Sequence, residues 1–146
     1  MERILVLDDD DAILKALEEA LAYLNYEVKT IADPKHLFEL IETYRPDLLL
    51  LDFILSSSNG GAICHQLKSD EQHFHLPIIM MSGYNDVIEQ AEKSGANDFI
   101  KKPFDLVELD EKISGCLRHK RIAGHMPGSV NSANKTVRHL RQAEKL

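Results

Sequence analysis

Side chains suited to binding a metal ion and a phosphate follow four short apolar runs of this chain. Carboxylates follow two of the runs, a serine hydroxyl follows the third, and lysine ammonium groups follow the fourth. They are Asp8–Asp11 after Ile4–Leu7, Asp52 after Leu48–Leu51, Ser82 after Ile78–Met81, and Lys101-Lys102 after Asp98–Ile100. Carboxylates, a hydroxyl and an ammonium are the groups that Mg²⁺-assisted phosphoryl transfer requires.

The chemistry of such a set depends on a cation. Clustered carboxylates repel one another and raise one another's pKa unless a positive charge lies among them. Mg²⁺ suits the cluster because it takes a few carboxylate oxygens and keeps waters that a phosphate can replace. A carboxylate can itself be the nucleophile and form an acyl phosphate. The lysine and the hydroxyl can then neutralise the oxygens of the transferred phosphoryl group.

The four groups can meet only if the apolar runs are strands of one parallel sheet. The runs are short and continuous, as expected of strands that are covered on both faces. Tyr26, Val28 and Thr30 alternate with charged residues and predict a further, more exposed strand. Five strands and five helices then alternate over about 118 residues. We predict an α/β fold with right-handed crossovers, helices on both faces and a binding edge at the carboxyl ends of the strands.

Acidic residues mark the starts of several helices. Asp10 or Asp11 can cap the first helix with its side chain. Asp33-Pro34 predicts the start of the second helix, because proline fits the first helical turn. Asp105 and Glu108 form a capping-box pattern ahead of the last helix.

The composition predicts one acidic domain. The chain has 146 residues, of which 44% are hydrophobic, enough for a single core. No apolar run approaches the roughly 20 residues needed to cross a bilayer, so we expect a cytoplasmic protein without a membrane partner. Residues 1–118 carry 11 basic and 23 acidic side chains, which argues against nucleic-acid binding by this part. Cys64 and Cys116 are expected to be buried thiols.

The end of the chain differs from this acidic part. Residues 119–146 carry six basic side chains and one acidic side chain. Gly124–Asn134 is rich in glycine, serine and asparagine, and Val137, Leu140 and Leu146 indicate a weak amphipathic helix. We predict a domain over residues 1–120 and a basic tail or linker, partly helical, over 121–146. A solvated linker is favoured over a segment that binds an acidic partner.

Five short stretches resemble the receiver domain of two-component response regulators over about residues 3–118. They occur in the order and at the spacing of that family. They are Leu5-Val6-Leu7-Asp8-Asp9-Asp10, Leu49-Leu50-Leu51-Asp52-Phe53-Ile54-Leu55, Asn59-Gly60-Gly61, Met80-Met81-Ser82-Gly83 and Phe99-Ile100-Lys101-Lys102-Pro103-Phe104. The resemblance implies a doubly wound, flavodoxin-like five-stranded parallel sheet in the order 2-1-3-4-5.

The resemblance also implies a phosphoacceptor and a metal site. Asp52 would accept the phosphoryl group. Asp9 would bind Mg²⁺ directly, Asp8 would act largely through water, and the backbone carbonyl of Ile54 would complete the protein ligands.

The remaining implied roles concern the phosphoryl group and the switch. Ser82 would donate a hydrogen bond to the phosphoryl group. Lys102, before a cis peptide bond to Pro103, would pair with Asp52 and then with the phosphate. Phe99 would report the state of Ser82 through its inward or outward rotamer, whereas Lys101 is interpreted as a solvated neighbour.

The resemblance implies a signalling switch that catalyses only its own phosphorylation and dephosphorylation. A sensor histidine kinase or a phosphotransfer protein would supply the phosphoryl group. The face made by the fourth helix, the last strand and the fifth helix would then change its affinity for a downstream protein. We expect a monomer or a phosphorylation-dependent dimer, either free-standing or as the receiver part of a longer protein. Ser56 and Asn59 depart from the proline and the acid that are common at these positions of the family.

Two other classes also match parts of the pattern. Asp8-x-Asp10 after a first strand is the nucleophile motif of haloacid-dehalogenase-type phosphatases, but that enzyme leaves Asp52 without a role. A flavodoxin-type flavin module needs a phosphate loop rich in Ser, Thr and Gly after the first strand, whereas the loop here is acidic.

Overall fold

Strands and helices alternate along the whole described chain. The computed structural model describes residues 1–84 and 88–125, with the backbone alone for 121–125. The strands are β1 (Arg3–Leu7), β2 (Glu27–Ile31), β3 (Leu48–Asp52), β4 (Ile78–Ser82) and β5 (Asp98–Lys101). The helices are α1 (Asp11–Tyr23), α2 (Leu37–Tyr44), α3 (Gly60–Lys68), α4 (Ile88–Lys93) and α5 (Leu106–His125).

The five strands form one parallel sheet in the order β2-β1-β3-β4-β5, which confirms the predicted topology. The register pairs Leu7 with Leu51 and Ser82 with Lys101. The strands therefore end at nearly the same height, and the residue that follows each strand reaches the same edge of the sheet.

Helices cover both faces of the sheet and enclose two hydrophobic clusters. Alternate strand residues point to opposite faces, so Leu49 and Leu51 pack into one cluster while Leu48 and Leu50 pack into the other. All four leucines of β3 are fully buried. Burial of such a side chain stabilises the fold by about 1.5–3 kcal/mol. The strand order places β3 at the centre of the sheet.

The starts of the helices follow the predicted caps, with one difference. Asp10 caps α1 by accepting from the amides of Ala12 and Ile13. Asp33 caps a 3₁₀ turn over Pro34–His36, and α2 begins only at Leu37. The amide of Leu37 donates to the carbonyl of Pro34, which closes this tighter turn before the α-helical pattern begins.

The ends of two helices use left-handed backbone at residues other than glycine. Asn25 follows α1 with φ 68°, and Arg45 caps α2 with φ 53°. Asparagine adopts this conformation at low cost, whereas arginine has no such preference. The guanidinium of Arg3 donates to the carbonyl of Tyr44, which accounts for one of the terminal carbonyls of α2.

The last helix passes the boundary predicted at residue 120. The backbone of α5 remains helical to His125. Residues 126–146, with the weak helix predicted around Val137, Leu140 and Leu146, lie outside the described residues, so the division into domain and tail stays a prediction. None of the described helices is sufficiently long and apolar to span a bilayer. Cys64 and Cys116 are buried, as expected.

Gly60 allows α3 to begin directly against the end of β3. A Cβ at this position would overlap the carbonyl oxygen of Asp52 and would lie 2.9 Å from Cα of Phe53. The amide of Gly60 donates to the carbonyl of Phe53 at 2.7 Å. Any larger residue would push the loop between β3 and α3 away from the sheet edge.

Gly60→Ala is therefore expected to lower the free energy of unfolding by about 1–3 kcal/mol, because backbone atoms must move to admit the methyl group. Gly83→Ala is the matched control, since no atom lies within 4 Å of a Cβ built there. Urea denaturation of both variants checks this expectation. Equal stability of the two variants would contradict it.

Candidate functional site

Asp8 lies directly after β1 and is 1% exposed. One carboxylate oxygen accepts from the amide of Asp10 at 2.9 Å, and the other accepts from Nζ of Lys102 at 2.7 Å. Both oxygens of this buried carboxylate therefore have a donor. The first interaction also fixes the start of α1, because Asp10 is the residue that caps this helix.

Asp52 is the last residue of β3 and is 7% exposed. Its Oδ1 accepts from Nζ of Lys102 at 3.2 Å. Burial raises the pKa of the Asp52 carboxyl to about 6, the ammonium of Lys102 opposes this rise, and the charges of Asp8 and Asp9 add to it. Asp52 is thus a carboxylate held in a less solvated, negatively charged environment.

Lys102 connects the two buried carboxylates. Its Nζ contacts Asp8 at 2.7 Å and Asp52 at 3.2 Å, so the contact with Asp8 is the shorter one. Burial lowers the pKa of Lys102, but hydrogen bonds to Asp8 and Asp52 and their charges outweigh this effect and raise it. The peptide bond from Lys102 to Pro103 is cis, as expected.

Asp9 follows Asp8 but is exposed to solvent. Its Oδ2 accepts from the main-chain amide of Ser56 at 2.8 Å. One carboxylate oxygen each of Asp8, Asp9 and Asp52 lies within 4.8 Å of the other two. The three predicted acids are therefore brought together at the edge of the sheet.

This group of oxygen atoms fits a hard divalent cation. Carboxylate oxygens are the ligands that Mg²⁺ prefers, whereas structural zinc sites use sulfur and imidazole ligands. One ammonium leaves three ionised carboxylates with a net charge of about −2, which a divalent cation would neutralise. Within the described part of the chain, Asp8, Asp9 and Asp52 could hold such an ion.

Ser82 ends β4 beside this cluster. It is 2% exposed, and its Oγ accepts from the amide of Tyr84 at 3.1 Å. The register pairs Asp52 with Met81, so Ser82 lies one residue further toward the binding edge. The amide of Lys102 donates to the carbonyl of Ser82, which joins the ends of β4 and β5.

The other predicted residues lie around these groups. Phe99 is half-buried in β5 and packs against the hydrophobic cluster that contains Leu51. The Ile54 side chain is 51% exposed, and its backbone pairs with Asn59 through an isolated bridge. Lys101 is exposed, as interpreted from the sequence.

A family model for the response regulator receiver domain matches residues 4–114. The chain therefore belongs to the receiver domain family of two-component response regulators.

Similar proteins agree with this class. The probable transcriptional regulator ycf27 of Cyanophora paradoxa is 30% identical over 96% of this chain and 58% of its own length. The response regulator MprA of Mycobacterium ulcerans is 34% identical over 82% of this chain and 52% of its own. A crystal structure of a putative response regulator from Chloroflexus aurantiacus is 29% identical, with a TM-score of 0.76, and the match covers 80% of this chain and 98% of that one.

The chain spans about half the length of the curated relatives that it matches. The receiver domain is thus the part that these proteins share with it, and their names describe longer proteins.

The phosphatase interpretation is not favoured. The carboxylate of Asp10 accepts from the amides of Ala12 and Ile13 and caps α1. It is not among the three acids that the described residues bring together, whereas Asp52 is.

The sequence did not reveal two interactions of the site. The contact between Lys102 and Asp8 joins residues 94 positions apart, and the contact between Ser56 and Asp9 joins residues 47 apart. The second involves a main-chain amide, which leaves no mark in the residue type. For the contact between Lys102 and Asp8, the sequence offered the acid-rich run Asp8–Asp11 as a signal.

Asp52→Asn is expected to stabilise the metal-free protein at pH 7.5 by about 1–3 kcal/mol, because it removes a carboxylate whose pKa is raised on folding to about 6. The raised pKa means that protonation stabilises the folded state, and this contribution is lost as the pH rises through 6. The advantage of the variant should therefore shrink as the pH falls from 7.5 toward 4. Denaturation in EDTA across this range measures it.

Asp10→Asn is the matched control for this comparison. Asparagine also caps helices, and Asp10 is exposed, so the control should show no stabilisation at pH 7.5. A wild-type protein that is as stable as Asp52→Asn at pH 7.5 would contradict the expectation.

Proposed function

We propose that this chain is a phosphorylation-controlled switch in which Asp52 accepts a phosphoryl group from a phosphohistidine of a sensor histidine kinase or phosphotransfer protein. The observation that carries the proposal is the meeting of Asp8, Asp9, Asp52 and Lys102 at one edge of the sheet. A buried carboxylate with an ammonium at hydrogen-bond distance and two further acids beside it fits a nucleophile within a cation site.

The reaction forms one bond and breaks one. A carboxylate oxygen of Asp52 attacks phosphorus, and the bond between phosphorus and the donor imidazole nitrogen breaks. The electron pair stays on that nitrogen. Because the other ring nitrogen of the donor carries a proton when the bond breaks, the products are a neutral imidazole on the donor and an acyl phosphate on Asp52. Asp52 must be ionised to attack, and its pKa of about 6 leaves it mostly ionised at neutral pH.

Mg²⁺, when bound, neutralises phosphoryl oxygens and the charge that develops on them in the transition state. Asp9 and Asp52 are proposed as direct ligands, Asp8 as a ligand that acts largely through water, and the carbonyl of Ile54 as the remaining protein ligand. All three acids supply the oxygen donors that this ion requires.

Lys102 supports the phosphoryl group after transfer. Its ammonium already contacts Asp52 at 3.2 Å and can shift to a phosphoryl oxygen, while the shorter contact to Asp8 holds the side chain in place. A charge-assisted hydrogen bond of this kind is about twice as strong as a neutral one.

Ser82 is proposed to transmit the change. Its oxygen accepts from the amide of Tyr84, which leaves the hydroxyl proton free to be donated to a phosphoryl oxygen. A move of Ser82 toward Asp52 would draw the loop after β4 with it, and Phe99 would turn inward. The face formed by α4, β5 and α5 would then change shape. A full reversal of such a two-state balance needs about 5.5 kcal/mol, which several new phosphate contacts can supply.

The partners follow from the family. Histidine kinases phosphorylate response regulators, and downstream proteins read their state. One relative is named a DNA-binding dual master transcriptional regulator. We propose that any contact with DNA would be made by another domain of a longer protein, because residues 1–118 are strongly acidic. The proposed assembly is a monomer or a phosphorylation-dependent dimer.

Incubation with acetyl phosphate and Mg²⁺ should give one phosphoryl adduct in the intact mass of the wild-type protein. Asp52→Asn should give none, because the amide oxygen is a poor nucleophile. Asp10→Asn should keep the adduct, since Asp10 only caps α1. An adduct that persists in Asp52→Asn would place the phosphoacceptor elsewhere.

Ser82→Ala should uncouple phosphorylation from the switch. With beryllofluoride and Mg²⁺, which mimic the acyl phosphate, the amide resonances of Phe99 and Lys101 should shift in the wild-type protein and remain nearly unshifted in the variant. Ser69→Ala, at the exposed end of α3, is the control and should respond as the wild type does. Full shifts in Ser82→Ala would rule out this transmission route.

A further inference from the structure

The three acids of the cation site are restrained in different ways. Lys102 contacts Asp8 at 2.7 Å and Asp52 at 3.2 Å, and both carboxylates are buried. Asp9 is exposed, and its Oδ2 accepts a hydrogen bond from the main-chain amide of Ser56 at 2.8 Å. The third ligand is therefore held by backbone from another loop.

Such a restraint would favour ion binding by Asp9 in this chain. An exposed carboxylate beside two other carboxylates is repelled by them and gains rotamer freedom by turning into solvent. The partial positive charge of the Ser56 amide opposes this motion. Because Oδ2 takes the amide hydrogen, Oδ1 of Asp9 stays available for a cation.

The loop that carries Ser56 is itself well fixed. The backbone of Ile54 pairs with Asn59, and the amide of Leu55 donates to the carbonyl of Ser58 at 3.2 Å. Asn59 then caps α3 by accepting from the amide of Ala62. The direction of the Ser56 amide is thus set by the loop and does not depend on its own side chain.

We propose that the main-chain amide of Ser56 is a positioning donor that holds Asp9 at the divalent-cation site before the ion binds. The proposal rests on the proposed function, because the ion in question is the Mg²⁺ that supports phosphorylation of Asp52. The hydrogen bond links the loop after β1 to the loop after β3. It holds the Asp9 side chain in place beforehand, so that less conformational entropy is lost when the ion binds.

Proline is the substitution that tests this idea, because it removes the amide hydrogen at position 56. Ser56→Ala changes the side chain and keeps the amide. Ser57→Pro stiffens the same exposed loop and leaves the Ser56 amide in place. The three variants therefore separate loss of the donor from loss of the hydroxyl and from a stiffer loop.

Titration with Mg²⁺ alone, followed by calorimetry, is the direct measurement. Ser56→Pro should bind Mg²⁺ about tenfold more weakly than the wild type, which is the low end of the usual effect of removing a hydrogen bond to a metal ligand. Ser56→Ala and Ser57→Pro should bind as the wild type does, and the metal-free melting temperatures should agree. Wild-type affinity in Ser56→Pro, or equal weakening in Ser57→Pro, would overturn the proposal.

A second measurement does not depend on the folding of the proline variant. In ¹⁵N–¹H spectra of the metal-free protein, the Ser56 amide proton should resonate downfield and move upfield in Asp9→Ala. An unmoved resonance would also overturn the proposal.

The outcomes remain separate from a failure of the proposed function. A wild-type protein that binds no Mg²⁺ and gains no phosphoryl group from acetyl phosphate would refute that function. A wild-type protein that does both, together with an unweakened Ser56→Pro, would refute only the role of the amide.

Discussion

The ammonium of Lys102 lies between two buried carboxylates, and the arrangement of the site depends on this contact. Asp8 directly follows β1, Asp52 ends the neighbouring strand β3, and both are almost fully removed from water. Two buried like charges at this spacing cost several kcal/mol unless a cation compensates them. Lys102 contacts both carboxylates, but its single positive charge is insufficient to neutralise all three acids. The remaining negative charge is what a divalent ion, as proposed above, would neutralise.

The buried Asp52 carboxylate lowers the stability of the folded protein at neutral pH. Burial raises the pKa of Asp52 to about 6, so the ionised form that would attack phosphorus is also the form that the folded protein tolerates less well. The hydrophobic clusters on both faces of the sheet offset this cost, because β3 places four fully buried leucines directly before Asp52. Asp52 thus ends a fully buried strand, which holds its carboxylate in place against the repulsion of Asp8 and Asp9.

The position of the site was predictable because its causes are local. Apolar runs of four residues, each followed by a polar residue, indicated strands and their carboxyl ends, and parallel topology then required those ends to meet. Signals for the start of a helix, such as the cap at Asp10, also depend on a few neighbouring residues. The 3₁₀ turn after Asp33 and the left-handed Arg45 were not predicted, because each depends on how a chain segment is joined to the sheet, which residue type does not record.

The amino-acid sequence by itself determined the alternation of strands and helices, the family, and the acids, hydroxyl and lysine that form the candidate site. The periodicity of hydrophobic residues and the residue types carry this information, because both can be recognised within a few neighbouring positions of the chain. Only the tertiary structure decided that Lys102 lies closer to Asp8 than to Asp52 and that a main-chain amide holds Asp9. These contacts join residues tens of positions apart, and their lengths are set by strand register and loop packing rather than by any local pattern.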